Sequence, residues 1–207
     1  MKLAVRIFLA YILISAVCFY YPVSHVLKDV RMFFLESVED PLADQANLLA
    51  SITGTWMESG HFDTNRLNAA FNDTYARSLP ARIYGFPKNR VDLRIYITDK
   101  SGKVVFDSMG SENIGADYSK WRDVSRTLKG QYGARTTRRD PADPTSTVLY
   151  VGAPIIVRGQ TVGVLTVAKP TTNINAFIQM EKPRILRLWY MSGALAIALS
   201  FVVSLWL

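Results

Sequence analysis

The chain has one cysteine, Cys18, and it falls inside an apolar run. A disulfide framework is thereby excluded, and so is a cysteine-based zinc site. Histidine is nearly as scarce. His25 and His61 are the only two, and neither has Cys, Asp or Glu at metal-ligand spacing. There is no Gly-rich loop ending in Lys-Ser/Thr, no His-Glu-x-x-His and no Gly-x-Ser-x-Gly. Asp140 and Asp143 sit among prolines in a turn, where a carboxylate pair is normally just solvated. Catalytic residues are therefore not expected within these 207 residues. The formal charge of +7 comes from 24 Lys+Arg against 17 Asp+Glu, with no basic run longer than two. Nucleic-acid binding needs clustered base and a known motif, and both are lacking. A mild basic excess suits anionic lipid nearby or a small anionic ligand.

What is present begins with two apolar ends. Ile7 to Leu27 holds no Asp, Glu, Lys or Arg. As a helix it would span about 31 Å, the thickness of a hydrocarbon core. Lys2 and Arg6 precede it and place the N-terminus in the cytoplasm. Tyr11, Phe19, Tyr20 and Tyr21 suit interfaces or helix packing. A cleaved signal peptide is the alternative, but no small-x-small site precedes Lys28. The second run, Leu188 to Leu207, is uncharged and has no polar exit flank. The reading is a second span cut before a cytoplasmic part; a natural C-terminal anchor is the alternative. Three regions follow: 1–27 as first span with a short cytoplasmic N-terminus, 28–187 as extracytoplasmic (periplasmic) domain, and 188–207 as second span.

Between the spans, His25 to about Gly60 reads as a helix. Leu42, Leu49 and Trp56 recur every seven residues, with Ala46 and Ile52 between them. That stripe serves either a dimer seam or packing on the chain's own sheet. Pro41 predicts a kink or break near Asp40. Asp63 or Thr64 caps a second helix that Pro80 ends. Tyr84 to Arg90 reads as a loop.

Strand-like runs follow at Val91–Thr98, Lys103–Asp107, Gln131–Arg138, Thr147–Val157 and Thr161–Ala168. Asp99-Lys-Ser-Gly102 and Arg158-Gly159-Gln160 supply hairpin turns. A third helix is predicted from Asp117 to Gly130, with Tyr118, Trp121, Val124 and Leu128 on its apolar face. Thr172 to Arg187 is a linking helix with Pro183 inside it. The order predicts an α+β fold: a single domain with a five-stranded antiparallel sheet and a long N-terminal helix, between two transmembrane helices.

A pocket on one face of that sheet would be bordered by Arg94, Tyr96, Tyr118, Trp121, Arg135 and Tyr150. Aromatic walls with a few aimed polar groups are the usual lining of a small-molecule site, and Arg grips carboxylate or phosphate in bidentate fashion. The plain alternative is that these residues are core. No metal site is expected.

Asp117-Tyr-Ser-Lys-Trp-Arg-Asp-Val124, Lys129-Gly-Gln-Tyr-Gly-Ala-Arg135, Asp140-Pro-Ala-Asp-Pro144 and Val151-Gly-Ala-Pro154 resemble the CreC-type inner-membrane sensor histidine kinases of Gram-negative bacteria. Tyr96-Ile-Thr-Asp99, Gly102-Lys-Val-Val-Phe-Asp-Ser108 and Gly163 to Pro170 fit as well. The Tyr-x-Thr-Asp-x-x-Gly and Gly-Val-Leu-x-Val pieces are also similar to Cache (PAS-like, or PDC) extracytoplasmic sensor domains, so the resemblance implies a single PAS-like or Cache sensor domain between the spans. The resemblance implies a homodimer and a kinase core beyond Leu207. That core would bind ATP and Mg and phosphorylate a response regulator of the CreB type. His25 and His61 do not match the family's His-Glu-Leu-Lys phosphoacceptor pattern. The stimulus would be a small anionic ligand or a periplasmic protein. Two other outputs stay open: a chemoreceptor or cyclic-dinucleotide enzyme headed by the same sensor, and a non-enzymatic two-span envelope scaffold.

Overall fold

The computed structural model describes residues 3–83, 86–143 and 146–206. It divides into two units, one of residues 1–35 with 174–207, the other Glu36–Asn173.

The first unit contains the start of helix α1, Leu3–Glu58, and nearly all of helix α4, Thr172–Trp206. Among the described residues, one stretch is long and apolar enough to cross a membrane. It is Pro183–Val203 in α4, with mean hydropathy 1.7. The backbone of the first apolar run is helical within α1. The side chains of Tyr11, Cys18, Phe19, Tyr20, Tyr21 and His25 lie outside the described residues.

The second unit is built on one antiparallel sheet in the order β4-β3-β7-β6-β5. Its strands are β3 (Arg94–Asp99), β4 (Val104–Asp107), β5 (Gly133–Arg138), β6 (Thr147–Val157) and β7 (Gln160–Pro170). Alternation along the strands sorts the two faces, because successive side chains point opposite ways. Ile95, Ile97, Leu149, Val151, Leu165 and Val167 join Leu42, Ala46 and Ala50 of α1 in one buried cluster. Tyr96, Val164 and Tyr150 point the other way, toward Tyr118, Trp121 and Val124. Helix α3 is Arg122–Leu128. The β6–β7 hairpin closes through Arg158 (φ 49°) and Gly159 (φ 77°). Two successive positive-φ residues make the primed turn that matches strand twist.

Several sequence expectations needed correction. The helix does not break at Pro41; α1 continues through it to Glu58. A proline removes one backbone hydrogen bond, and packing of Val38 before it and of Leu42, Ala46 and Ala50 after it against the sheet cluster holds the helix on both sides of the gap. The heptad stripe also shifts. The buried row is Leu42, Ala46, Ala50 and Thr53, whereas Ile52 and Trp56 are exposed. Steps of four, four and three keep to the 3.6-residue turn of a straight helix lying on a sheet; strict steps of seven suit a supercoiled partner. The loop expected over Tyr84–Arg90 contains half of a small hairpin, β1 (Ala81–Ile83) with β2 (Phe86–Lys88). Tyr84 and Gly85, and Pro144 of the later turn, lie outside the described residues.

Helix α2, Thr64–Ala76, is capped by Asp63 as expected, its carboxylate accepting from the Asn65 amide at 2.8 Å. It stops at Ala76, ahead of Pro80. The third helix does not begin at Asp117. That carboxylate closes a local turn on the Ser119 amide, and Tyr118 donates its own amide to the Gly102 carbonyl. Helix geometry starts only at Arg122.

Close approach of α3 to the sheet demands two glycines. A Cβ on Gly152 would lie 2.6 Å from the Asp123 carbonyl oxygen, and one on Gly133 would lie 2.3 Å from it. Gly152→Ala is expected to destabilise the chain by about 1–3 kcal/mol, the cost of overpacking a tight contact. A denaturant midpoint unchanged by the substitution would show that α3 can simply lift away.

Candidate ligand site

Where α3 meets the sheet, three strands bring polar groups to one buried carboxylate. Asp123 is fully buried. Its Oδ1 accepts from Arg135 Nε of β5 at 2.5 Å. Its Oδ2 accepts from the Tyr96 hydroxyl of β3, and from Thr166 Oγ1 of β7 at 3.2 Å. The Arg135 guanidinium lies 4.0 Å from the Trp121 ring centre and 3.7 Å from that of Tyr150. Both separations are within cation–π range. Its Nη1 donates to Thr137 Oγ1 at 2.8 Å, and its buried Nη2 has no protein partner. Burial works against the arginine's charge, but the Asp123 carboxylate outweighs it and raises the arginine pKa above its ordinary value. Tyr96 is pushed the same way, by burial first and then by the Asp123 charge, so its phenol stays protonated.

A second arginine–aspartate pair joins β3 to the edge strand β4. Arg94 donates from Nε and Nη2 to the two oxygens of Asp107, at 3.0 and 2.5 Å. Asp107 also accepts from the Met109 amide and from Asn113 Nδ2, each at 3.0 Å. Arg94 is half-buried, which disfavours its charge, yet the bidentate carboxylate more than compensates and raises its pKa.

All six residues singled out from the sequence fall in this region. Tyr118 and Trp121 stack with ring centres 3.4 Å apart, and the Tyr96 ring meets Tyr118 edge-on at 5.3 Å. Arg94, Trp121, Arg135 and Tyr150 line a cavity of about 680 Å³ on this face of the sheet. Tyr96 and Tyr118 are buried and are not among its lining residues. The sequence reading missed the two carboxylates. Asp107 was within reach of it: β4 pairs Asp107 with Tyr96, which makes Arg94 a diagonal neighbour. Asp123 was not, since only the docking of α3 brings it to Arg135. Tyr75, Met109 and Arg139 of the lining were missed as well.

The cavity occupies the part of the face that α3 leaves open. Tyr75 of α2 forms part of its wall, with its hydroxyl hydrogen-bonded to the Leu93 carbonyl (2.8 Å) and to Ser108 Oγ (2.7 Å). Asp92 sits at the margin between Lys88 and Lys169, the latter at 2.9 Å. Among the described residues no group of acidic, His and Cys side chains could hold a metal ion.

Residues 89–181 match a family described as the double sensory domain of two-component sensor kinases, dCache_3. The fold is similar to the sensor domain of the histidine kinase DctB from V. cholerae. That match has a TM-score of 0.51 at 15% identity, covering 75% of this chain and 58% of the other. The Glu36–Asn173 unit has a dCache-type sensor fold. Among its described residues it holds one five-stranded sheet. A periplasmic domain of RsbU from Chlamydia trachomatis gives a TM-score of 0.45 at 13% identity, over 77% of this chain and 56% of that one. In sequence the chain is 40% identical over 199 residues to the sensor protein CreC of Escherichia coli strain K12. The match takes in 96% of this chain and spans 41% of the length of CreC.

Breaking the Asp123–Arg135 pair is expected to be costly. Asp123→Ala leaves a cation buried between two rings and should lose about 3–5 kcal/mol. Adding Arg135→Ala should restore part of it, and strict additivity in a double-mutant cycle would refute the coupling. Asp92 gives a pH signature. Burial tends to raise its pKa, but Lys88 and Lys169 overcome this and lower it. A carboxylate with a folded pKa below its unfolded value of about 3.9 stabilises the fold above that value. The contribution is lost as pH falls through the folded pKa. Asp92→Asn should therefore flatten the acid limb of a stability–pH curve; an unchanged limb would remove Asp92 from the account.

Proposed function

We propose that this chain is the sensory and membrane-spanning part of a two-component sensor histidine kinase. The observation that carries the reading is 40% identity to CreC across 96% of the chain, joined to a dCache-type fold with a lined cavity. In this reading 1–27 and 188–207 cross the bacterial inner membrane, and 28–187 stands in the periplasm. A kinase core after Leu207 uses ATP and Mg and phosphorylates a response regulator of the CreB type, and the chain works as a homodimer. Arg94, Tyr96, Tyr118, Trp121, Arg135 and Tyr150 form the sensing site, four at the cavity wall and two supporting from behind.

The route for the signal is strand β7. Thr166 holds Asp123, and Ala168 and Pro170 line the cavity. Thr171 is tied to Thr147 through both its amide (2.8 Å) and its hydroxyl (2.5 Å). Helix α4 starts at the next residue. A ligand that favours one setting of β7 therefore acts two residues from the helix that carries the second span. To invert a 1:99 population it must prefer that setting by about 5.5 kcal/mol.

The test is made in the full-length protein in native membranes, reading phosphate on its response regulator. Arg135→Ala is expected to shift the basal level at least fivefold while the protein remains in the membrane. Output indistinguishable from wild type in Arg135→Ala and Tyr150→Ala alike would overturn the assignment of this site.

A further inference from the structure

The charge around the cavity is not evenly compensated. Arg94 and Arg135 are matched by Asp107 and Asp123, and Asp92 by Lys88 and Lys169. Three further arginines line the cavity: Arg90, Arg138 and Arg139. All three are exposed, and none has a carboxylate within ion-pair distance among the described residues. Arg138 ends β5, paired with Thr147, and Val148 pairs with Pro170. The unmatched cations thus gather at the end of the sheet from which β7 runs into α4.

Inside that cationic rim the lining changes character. Val148, Ala168 and Pro170 supply the sheet side, and Leu93 and Met109 face the same space. Met109 is 58% exposed, an apolar and adaptable side chain left open at a cavity. The volume of about 680 Å³ equals that of roughly twenty liquid waters. A bare phosphate or short dicarboxylate would leave most of the apolar lining uncovered. A neutral apolar ligand would leave three cations without an anion.

We propose that the cavity takes an anionic amphiphile. Its phosphate or carboxylate head is gripped by Arg90, Arg138 and Arg139, and its apolar body lies against Val148, Ala168 and Met109. This rests on the reading of the cavity as the sensing site and adds the ligand class. The same chemistry is offered by a free amphiphile and by the headgroup region of an anionic lipid.

The experiment uses the whole chain in phosphatidylcholine nanodiscs, with amide hydrogen exchange as readout. Octyl phosphate is the probe; inorganic phosphate and octanol are the controls at equal concentration. Octyl phosphate is expected to slow exchange at least fivefold in the segments around Arg90–Arg94 and Arg138–Val148. Each control should slow it less than twofold. The Arg90→Ala/Arg139→Ala variant, which touches neither buried ion pair, should lose that protection while the β6–β7 amides exchange as before. Protection without probe in discs containing phosphatidylglycerol supports the proposal with lipid as the source. Equal protection by inorganic phosphate overturns the amphiphile but leaves the cavity as an anion-sensing site. Equal protection by octanol overturns the role of the arginines. No protection by any probe overturns the proposal, whereas the sensing-site reading stands or falls separately on the Arg135→Ala output.

Discussion

The buried carboxylate of Asp123 is the constraint on which this domain turns. A charge with no exposure to water is tolerated only when its lone pairs are filled. Here Arg135, Tyr96 and Thr166 fill them from three different strands. That requirement fixes where α3 sits, which in turn demands glycine at 133 and 152 and buries Val124 and Thr127 against the sheet. It also places the Arg135 guanidinium between Trp121 and Tyr150, so the aromatic wall and the ion pair hold each other in place.

The two faces of the sheet consequently have different chemistry. The face under α1 is apolar and close-packed, with Leu42, Ala46 and Ala50 against Leu149, Val151 and Leu165. It serves as a foundation. The α3 face has polar groups at its centre and an open cavity beside them. Strand β7 belongs to both, with Leu165 and Val167 in the foundation and Thr166 and Ala168 on the cavity side. A strand anchored on one face and in reach of a ligand on the other is well placed to pass a small shift along its length.

Much of the fold was legible in the residues. Strand-like runs marked all five main strands, and four of them, β4 to β7, lie within two residues of the expected bounds. Asp63 announced α2 through its capping geometry. The six site residues stand out by type, as aromatics and arginines in the segments around the expected pocket, and they do gather in one region. Failures came where local signals compete. Asp117 looks like a helix cap but bonds within its own turn. Pro41 looks like a stop but lies in a helix held by packing. Of the stripe read as a dimer seam or as packing on the chain's own sheet, Leu42, Ala46 and Leu49 pack on the sheet, whereas Ile52 and Trp56 are exposed.

The sequence alone determined what depends on near neighbours: the strand faces, the turns and the apolar runs at the ends. Those follow from dihedral preference and hydrophobic period, which act over a few residues. Tertiary structure decided which charges meet. Asp123 and Arg135 are twelve residues apart and Asp123 and Thr166 forty-three, so no local rule relates them. Pairing with the buried Asp107 and Asp123 matches the charge of the half-buried Arg94 and Arg135 at the cavity wall and leaves Arg90, Arg138 and Arg139 as the unmatched charge there. Electrostatic roles of this kind are set by distance in space and by exclusion of water, and both come into being only when α3 docks on the sheet.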